Sequence, residues 1–353
     1  MRIYLGLAAA NGRLKHGILA IGNFDGVHLG HRALLDGARA RLAQRTPRGP
    51  LCALTFEPHP ARLLAPALAP PLICSPGRKR ELLAEAGVEA LIEQPFDRAF
   101  AALDPDAFVE VLAATGIAAV TVGADFTYGH SRSGNIESLR RALEERGVHL
   151  HVLPKVTVEG LVVSSTKVRE FVLVGKVDAA AALLGRPFDL DGEVVRGAGR
   201  GRTLGWPTAN IKNGAELLPA AGVYAVRMRL GEQPATQAEA GGGTGAQAEI
   251  VYPSHEGIVY PRQEVWGARL AGAANLGVNP TFRAPDPQAA GRSPLALEVH
   301  LLDFARDLYG CPVRVEFVQR LREERRFSGP DALKEQIAQD VEDARAVLGA
   351  RPA

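Results

Sequence analysis

The sequence predicts an α/β domain built on a parallel sheet, followed by a domain built on a small antiparallel barrel that closes with a C-terminal helix. Three observations predict it. A chain of 353 residues is too long for one ordinary core and suits two domains. Up to about residue 185, short apolar runs alternate with helical patterns, the signature of βα units on a parallel sheet. After Gly185-Arg186-Pro187 glycine becomes dense and the apolar residues recur with period two, which is antiparallel β. The boundary therefore falls between residues 1–185 and 186–353.

The elements follow in order. Ile18–Ile21, Leu51–Phe56, Glu89–Ile92, Ile117–Val122 and His149–Leu153 are short, partly β-branched and bounded by Gly or Pro, so each is a strand. After Gly30, Leu34, Leu35, Ala38 and Leu42 recur at helical spacing. Ser75-Pro76 and Asp104-Pro105 each place a capping side chain before a proline at the first helical position. In the second half, strands run through Val223, Ala225 and Met228, through Leu295–Leu301, and through Val313, Val315 and Phe317. Ser328 is placed to cap a last helix with Leu333, Ile337, Val341 and Leu348 on one stripe. The tract between Leu230 and Ala271 is rich in Gly and Ala and buries little apolar surface, so it reads as a flexible loop inserted between two strands.

Composition excludes several classes. Hydrophobic residues at 46% and charged residues at 23% are those of a globular chain, not a disordered one. The 41 basic and 39 acidic side chains leave a net charge of +2, which lends no support to nucleic-acid binding. No apolar run approaches the ~20 residues that span a bilayer. Glycines, Asn11 and Arg13 interrupt the apolar residues of Met1–Lys15, so no signal peptide is expected and the protein is expected in the cytoplasm. Cys52, Cys74 and Cys311 lack metal-ligand spacing and suit reduced thiols. A homo-oligomer is left open.

Two segments carry phosphate chemistry. Gly22, Asn23, Phe24, Asp25, Gly26, Val27, His28, Leu29, Gly30 and His31 join the first strand to the first helix. The glycines allow tight turns, and a helix start offers free N–H groups and a positive dipole end to an anion. His28 and His31, three apart, can face one phosphate chain and donate to charge developing on it. Further along, Ser164, Ser165 and Thr166 can cap a helix running to Leu173, and with Arg169 they offer a second phosphate clamp or a plain cap beside a solvated arginine.

In the second half, Gly197, Gly199, Arg200, Gly201 and Gly205 precede a Pro207-Thr208-Ala209-Asn210 turn. Such a loop can wrap phosphates or simply turn a barrel corner; it is not a Walker A sequence. Thr208 and Asn210 supply hard oxygens two residues apart, so both can face one Mg²⁺. The odd positions from Leu295 to Leu301 are apolar, which puts Glu298 and His300 on the opposite face. There a carboxylate is either a surface residue or a general base.

With these residues in view, the chain resembles the bacterial bifunctional riboflavin kinase/FAD synthetases over nearly its whole length. The GxFDGxHxGH string resembles the nucleotidylyltransferase signature. Thr55–Pro60 resembles the TFxPHP turn, Val122–Gly129 with Arg132 and Gly134 the flavin-side segment, and Val163–Arg169 the ISSTxIR motif. Tyr128 stands where phenylalanine is commoner. Gly201–Asn210, Gly222–Ala225, Asn275–Phe282 and Glu298–Phe304 with Leu308–Gly310 resemble, in order, the strings of the riboflavin kinase domain.

The resemblance implies a Rossmann-like nucleotidylyltransferase (FMN adenylyltransferase) domain and then a six-stranded kinase barrel. It implies that ATP phosphorylates riboflavin to FMN, and that a second ATP adenylylates FMN to FAD with release of pyrophosphate. His28, His31 and Glu298 would be catalytic. Gly22, Asn23, Phe24, Asp25, Gly30, Ser164, Ser165, Thr166 and Arg169 would bind ATP for adenylylation. Pro58, His59, Asp125, Phe126, Tyr128 and Arg132 would bind the flavin. Gly197, Gly199, Arg200, Gly201 and Gly205 would bind the kinase ATP, and Thr208 and Asn210 Mg²⁺. Partners would be small molecules, with neither nucleic acid nor membrane.

Alternatives are a chain that retains one of the two activities, or a flavin- or nucleotide-binding regulator with degenerate sites. An aminoacyl-tRNA-synthetase-like enzyme would share the histidine motif, but it needs an anticodon-binding module and a broad basic surface that the second half lacks.

Overall fold

A computed structural model describes residues 1–197, 205–231, 258–259, 266–278 and 295–349. The chain parts into two compact units. One comprises Met1–Pro71, Pro76–Ser164 and Thr244–Gln263; the other comprises Leu72–Ser75, Ser165–Gly243 and Glu264–Ala353.

The first unit is the expected parallel sheet. Its strands are β1 (Arg2–Leu5), β2 (Ile18–Ile21), β3 (Leu51–Glu57), β4 (Ala90–Pro95), β5 (Ala119–Gly123) and β6 (His149–Leu153). They pair in the order β1-β4-β3-β2-β5-β6, all parallel. β2 is buried along its whole length, as a strand covered on both faces must be, and hence its unbroken apolar run. β1 was not foreseen. Only Ile3 and Tyr4 of its four residues are buried, and Gly6 ends it at once.

Between the strands lie α1 (Leu29–Leu42), α2 (Pro60–Leu64), α3 (Pro76–Glu85), α4 (Arg98–Ala101), α5 (Pro105–Ala113) and α6 (Ile136–Glu144). The cap of α5 is the expected one: Asp104 accepts from the Ala107 N–H at 2.8 Å, with Pro105 in the first turn. Leu34, Leu35, Ala38 and Leu42 form the buried face of α1. From β2 the chain steps to β3 on one side, while β5 lies on the other. The loops leaving β2 and β5 therefore diverge, and the crevice at those carboxyl ends is where such sheets bind ligands. A hairpin of β7 (Thr157–Val158) and β8 (Leu161–Val162) follows the sheet.

The second unit holds a closed antiparallel barrel, in the order β10-β14-β13-β11-β15-β9 among the described residues. The strands are β9 (Phe188–Val195), β10 (Ala209–Asn213), β11 (Gly222–Gly231), β13 (Trp266–Val278), β14 (Leu295–Leu301) and β15 (Pro312–Glu323). Tyr224 and Phe188 both meet the Phe317 ring, and all three are fully buried. On the other face of β11, Ala225 packs with Ala273 against Val341 and Ala344 of the last helix, α9 (Pro330–Leu348). Covered on both faces, β11 loses the clean alternation of a half-solvated strand.

Two expectations are corrected. The residue flanking α9 is Gly329 and no side chain caps it, so Ser328 is not the cap; Pro330, with its preset φ, starts the helix directly. Part of the Leu230–Ala271 interval is strand, not loop. β12 (Ile258–Val259) pairs antiparallel with β1 at the edge of the first sheet, and β13 begins at Trp266. Ile258 and Val259 are β-branched and suit an extended edge. Apart from these corrections, α7 (Ser165–Leu173) and α8 (Val177–Leu184) cluster with the barrel, α8 lying on β9 and β15. The Gly/Ala tract proper and residues 284–294 lie outside the described residues.

Candidate active sites

The first site forms where β2 gives way to α1. The Gly22 N–H donates to the Leu54 carbonyl, and the buried Thr55 hydroxyl donates to the Asn23 carbonyl at 2.9 Å, so the loop is tied to β3. Phe24, Gly26 and Val27 then take left-handed φ values of 50, 78 and 40 degrees. Glycine adopts these freely; for β-branched Val27 the conformation is strained and needs surrounding structure to hold it. Complete burial of Phe24 and Val27 provides that hold. Asp25 is buried as well. Phe24 can therefore offer ATP its backbone but not its ring.

The strained loop delivers His28 to the N-cap of α1. Its Nδ1 accepts from the His31 N–H at 3.3 Å, which leaves the proton on Nε2 and makes that nitrogen a donor. The two histidine rings stack with centroids 3.7 Å apart and planes at 11°. A Cβ at Gly30 would come within 3.1 Å of the His28 ring and 3.6 Å of the Val163 carbonyl, so the segment leading into Ser164 passes beside Gly30. Burial above all, with smaller electrostatic contributions from His28 and Lys79, holds the His31 imidazole well below its usual pKa. Its Nδ1 is buried without a hydrogen-bond partner. The result is a stacked imidazole pair at a helix N-terminus, suited to an anion.

A pH dependence follows. The unfolded chain protonates His31 near pH 6.5 and the folded chain resists it, so this contribution to stability is complete above that pH and lost as pH falls below it. Melting temperature is expected to drop between about pH 7 and about pH 5, and His31→Gln should make the drop smaller. An equal drop in the variant would show that His31 is not the group.

Of the second motif, Ser164 and Ser165 head α7, Thr166 is exposed, and Arg169 is buried. On the flavin side, Pro58 is exposed and His59 caps α2, its Nδ1 accepting from the Ala61 N–H at 3.2 Å. Beyond β5, Phe126 and Tyr128 stack at 6.0 Å. The Tyr128 hydroxyl meets Ser138, and burial raises its pKa, so the departure from phenylalanine is accommodated by a polar partner. Arg132 donates to the Thr127 hydroxyl at 2.9 Å, and Asp125 pairs with Lys155 at 3.4 Å in solvent. A Cβ on Gly134 would strike the Tyr128 ring, which explains that glycine. Ala124, Asp125, Phe126 and Thr127 line a shallow depression of about 330 Å³ with Asn135 and Ile136. Ring contacts run from Phe56 at the end of β3 through Phe100, Phe108 and Tyr128 to Phe126. Phe108 and Tyr128 are buried in the core, and Phe56, Phe100 and Phe126 pack partly buried against it.

The second site lies on the barrel. Asn210 of β10 and Asn275 of β13 both pair in register with Glu298 of β14. Residues opposite one another in antiparallel strands share a face, so Asn210, Glu298 and Asn275 form one polar row. Leu297 and Val299 are buried on the other face while Glu298 is half-buried, as the alternation requires. His300 Nδ1 donates to the Pro207 carbonyl at 2.8 Å, and its ring meets Trp206 edge-on, so the turn carrying Thr208 is held to β14.

The donors fit a hard cation. Asn210 is buried, and its Oδ1 has no partner. A Cβ on Gly197 would collide with that amide, so glycine is required for the close approach. Thr208 is half-buried beside it in sequence, and both residues present oxygen, the ligand type Mg²⁺ prefers. Gly205 takes φ +87°, a glycine conformation. Gly199, Arg200 and Gly201 lie outside the described residues, as do residues 279–282.

Two contributions carried no signal in the sequence: Asn275's place in the row and the clamp by His300. Each depends on a partner distant in the chain. Among the described residues no helix is long and apolar enough to cross a membrane.

Comparison with known proteins is consistent across methods. A family model described as FAD synthetase matches residues 11–167, and one described as riboflavin kinase matches residues 184–348. A bifunctional riboflavin kinase/FMN adenylyltransferase of Escherichia coli (strain K12) is 36% identical over 94% of this chain and 93% of its own length. The Haemophilus influenzae protein of the same description is 33% identical over 98% and 99%, and that of Bacillus subtilis 31% over 93% and 91%. A solved structure described as a macrolide-efflux protein from Streptococcus pneumoniae aligns with TM-score 0.76 and 27% identity over 97% of this chain and 98% of that one.

Proposed function

Because the chain belongs to the family of bifunctional riboflavin kinases/FMN adenylyltransferases, we propose that its two sites divide the synthesis of FAD between them. The barrel phosphorylates riboflavin with ATP to give FMN, and the parallel-sheet unit adenylylates FMN to FAD with release of pyrophosphate. One observation carries this reading: a single chain builds two phosphate-type sites on separate frameworks, the stacked histidines at the start of α1 and the Asn210–Glu298–Asn275 row.

In the kinase step Glu298 accepts the proton of the ribityl 5′-hydroxyl as the hydroxyl oxygen bonds to the γ-phosphorus of ATP, whose bond to the bridging oxygen breaks so that ADP leaves. Thr208 and Asn210 would hold Mg²⁺, which supplies charge neutralisation for the phosphates. Gly197, Gly199, Arg200, Gly201 and Gly205 bind the nucleotide. In the adenylylation step His28 and His31 donate to the phosphate chain, with Gly22 to Asp25 and Gly30 cradling it. Ser164, Ser165, Thr166 and Arg169 contribute the second clamp. Pro58, His59, Asp125, Phe126, Tyr128 and Arg132 orient the flavin. Neither step needs a covalent enzyme intermediate, since positioning and electrostatics carry such transfers. The partners are small molecules, without nucleic acid or membrane, and the compartment is the cytoplasm.

Incubation of the purified chain with riboflavin, ATP and Mg²⁺, followed by chromatography of the flavins, should show FMN and then FAD. FMN alone, or neither product, would sink the two-step reading.

We place the boundary between the two activities near residue 186, with α8 serving the barrel structurally. Val177, Leu183 and Leu184 are buried, and burying each such side chain is worth about 1.5–3 kcal/mol. A fragment from Lys176 to the C-terminus is expected to make FMN but no FAD. One starting at Arg186 should melt well below it in a thermal scan. A folded Lys176 fragment without kinase activity would overturn the assignment.

A further inference from the structure

The first unit buries a cation to which the two-site reading gives no task. Lys79, near the start of α3, is 8% exposed. Removing an ammonium from water costs several kcal/mol unless partners replace the lost hydration. Among the described residues its one ion-pair partner is Glu57, at 3.4 Å, and that carboxylate is 37% exposed. Such a contact is long for a charged hydrogen bond and occupies one of three donors. The flanking cations are held differently. Arg78 reaches Glu81 at 2.8 Å and Glu85 at 3.0 Å, and Arg80 grips Glu93 with two bonds of 2.8 Å. Of three consecutive cations, Lys79 keeps donor capacity in reserve.

Its neighbours indicate what uses that capacity. Glu57 ends β3 directly before Pro58. β3 pairs with β2, and Thr55, two residues before Glu57, is bonded to Asn23 of the loop that carries the histidines, so the Lys79–Glu57 pair lies at the same end of the sheet as the histidine pair. The Lys79 charge also helps to lower the His31 pKa. A buried cation with unused N–H donors, two stacked imidazoles and a helix N-terminus together form a receptor for a polyphosphate.

We propose that Lys79 is a phosphate-binding residue of the adenylylation site, its ammonium holding the β- and γ-phosphates of ATP that leave as pyrophosphate. The proposal rests on the adenylyltransferase reading and deepens it. In that step an FMN phosphate oxygen bonds to the α-phosphorus while the bond from the α-phosphorus to the bridging oxygen breaks, its electron pair departing with pyrophosphate. Negative charge grows on the leaving group, and a fixed ammonium binds these phosphates both in ATP and in the departing pyrophosphate. No proton moves to or from Lys79. The competing role is structural: Lys79 would merely hold Glu57, and with it the turn at Pro58.

The test uses the full chain with Lys79→Met, Lys79→Arg and Glu57→Gln. Initial rates of FAD formation are measured against ATP and against FMN, and the reverse reaction against inorganic pyrophosphate. Riboflavin phosphorylation by the same preparations reports on folding. Lys79→Met is expected to raise KM for ATP and for pyrophosphate about 10–10²-fold, the scale of one charged hydrogen bond, with KM for FMN nearly unchanged. Lys79→Arg should recover most of the loss, and Glu57→Gln should stay close to the parent. Where Lys79→Met melts early or loses kinase activity, Lys79→Gln should show the same split. Unchanged KM for ATP and pyrophosphate would overturn the proposal, as would a Glu57→Gln profile that copies Lys79→Met. A parent chain that makes no FAD from FMN overturns the adenylyltransferase reading and this one with it. A normal parent with unaltered Lys79 variants overturns this one alone.

Discussion

Replacing Glu298 by Gln is expected to slow riboflavin phosphorylation by roughly 10²–10⁴-fold, the usual cost of losing a general base. The side chain keeps its size, so the barrel should fold normally. Glu298 sits in the middle of the row, flanked by Asn210 and Asn275, while Leu297 and Val299 fill the opposite face. The other carboxylate of its string is ruled out by its surroundings. Asp303 leaves the strand with φ +55°, and Arg345 of α9 grips it with bonds of 2.7 and 2.8 Å. Those hydrogen bonds hold its carboxyl below the usual range, so it stays an anion committed to a partner. Asp303→Asn should therefore leave the kinase rate nearly intact. Paired initial rates decide the matter: Glu298→Gln should still adenylylate supplied FMN at the parent rate, and a kinase rate within a few-fold of the parent would remove Glu298 from the role.

The histidine pair should show the reverse pattern. Replacing His28 or His31 by Ala removes a donor to the transition-state phosphates, which is worth about 2.7–4 kcal/mol, or about 10²–10³-fold in FAD formation. FMN formation should continue. The two positions differ in stability, because His28 also caps α1 and His31 does not. His28→Ala should lower the melting temperature by the equivalent of ~1 kcal/mol, as cap removal does, and His28→Asn should restore it, since Asn is a good cap. Activity should not return with stability. Recovery of FAD formation in His28→Asn would show that the ring acts only as a cap.

What the sequence made legible was local. Asp104-Pro105 announces α5 because cap and proline act on their own helix, and the apolar spacing of Leu34 to Leu42 announces the buried face of α1. The two histidines and the Thr208–Asn210 turn were legible as chemistry because each lies within one short segment. The row that gives Glu298 its setting was not, since register across β10, β14 and β13 is a property of pairing. Nor was Lys79, whose meaning comes from Glu57 and His31 on other elements. Ser328 was misread because a proline one position beyond the cap outweighs a hydroxyl one position before it.

The pairing of β12 with β1 bears on how the chain is made. The five strands that follow β1 in the sheet, its inner neighbour β4 among them, are complete at Leu153, yet the outer neighbour of β1 arrives only with Ile258 and Val259. A ribosome adding about 5–20 residues per second takes on the order of 5–20 s to cover the roughly hundred residues between. Through that interval the nascent chain presents β1 as an open edge, the template on which strands of other chains add. β1 is only four residues long and carries Arg2 at its start, both of which make an edge a poor template. The brevity that hid β1 from a reading of the sequence is thus what lets it wait, during synthesis, for a partner encoded in the other half of the chain.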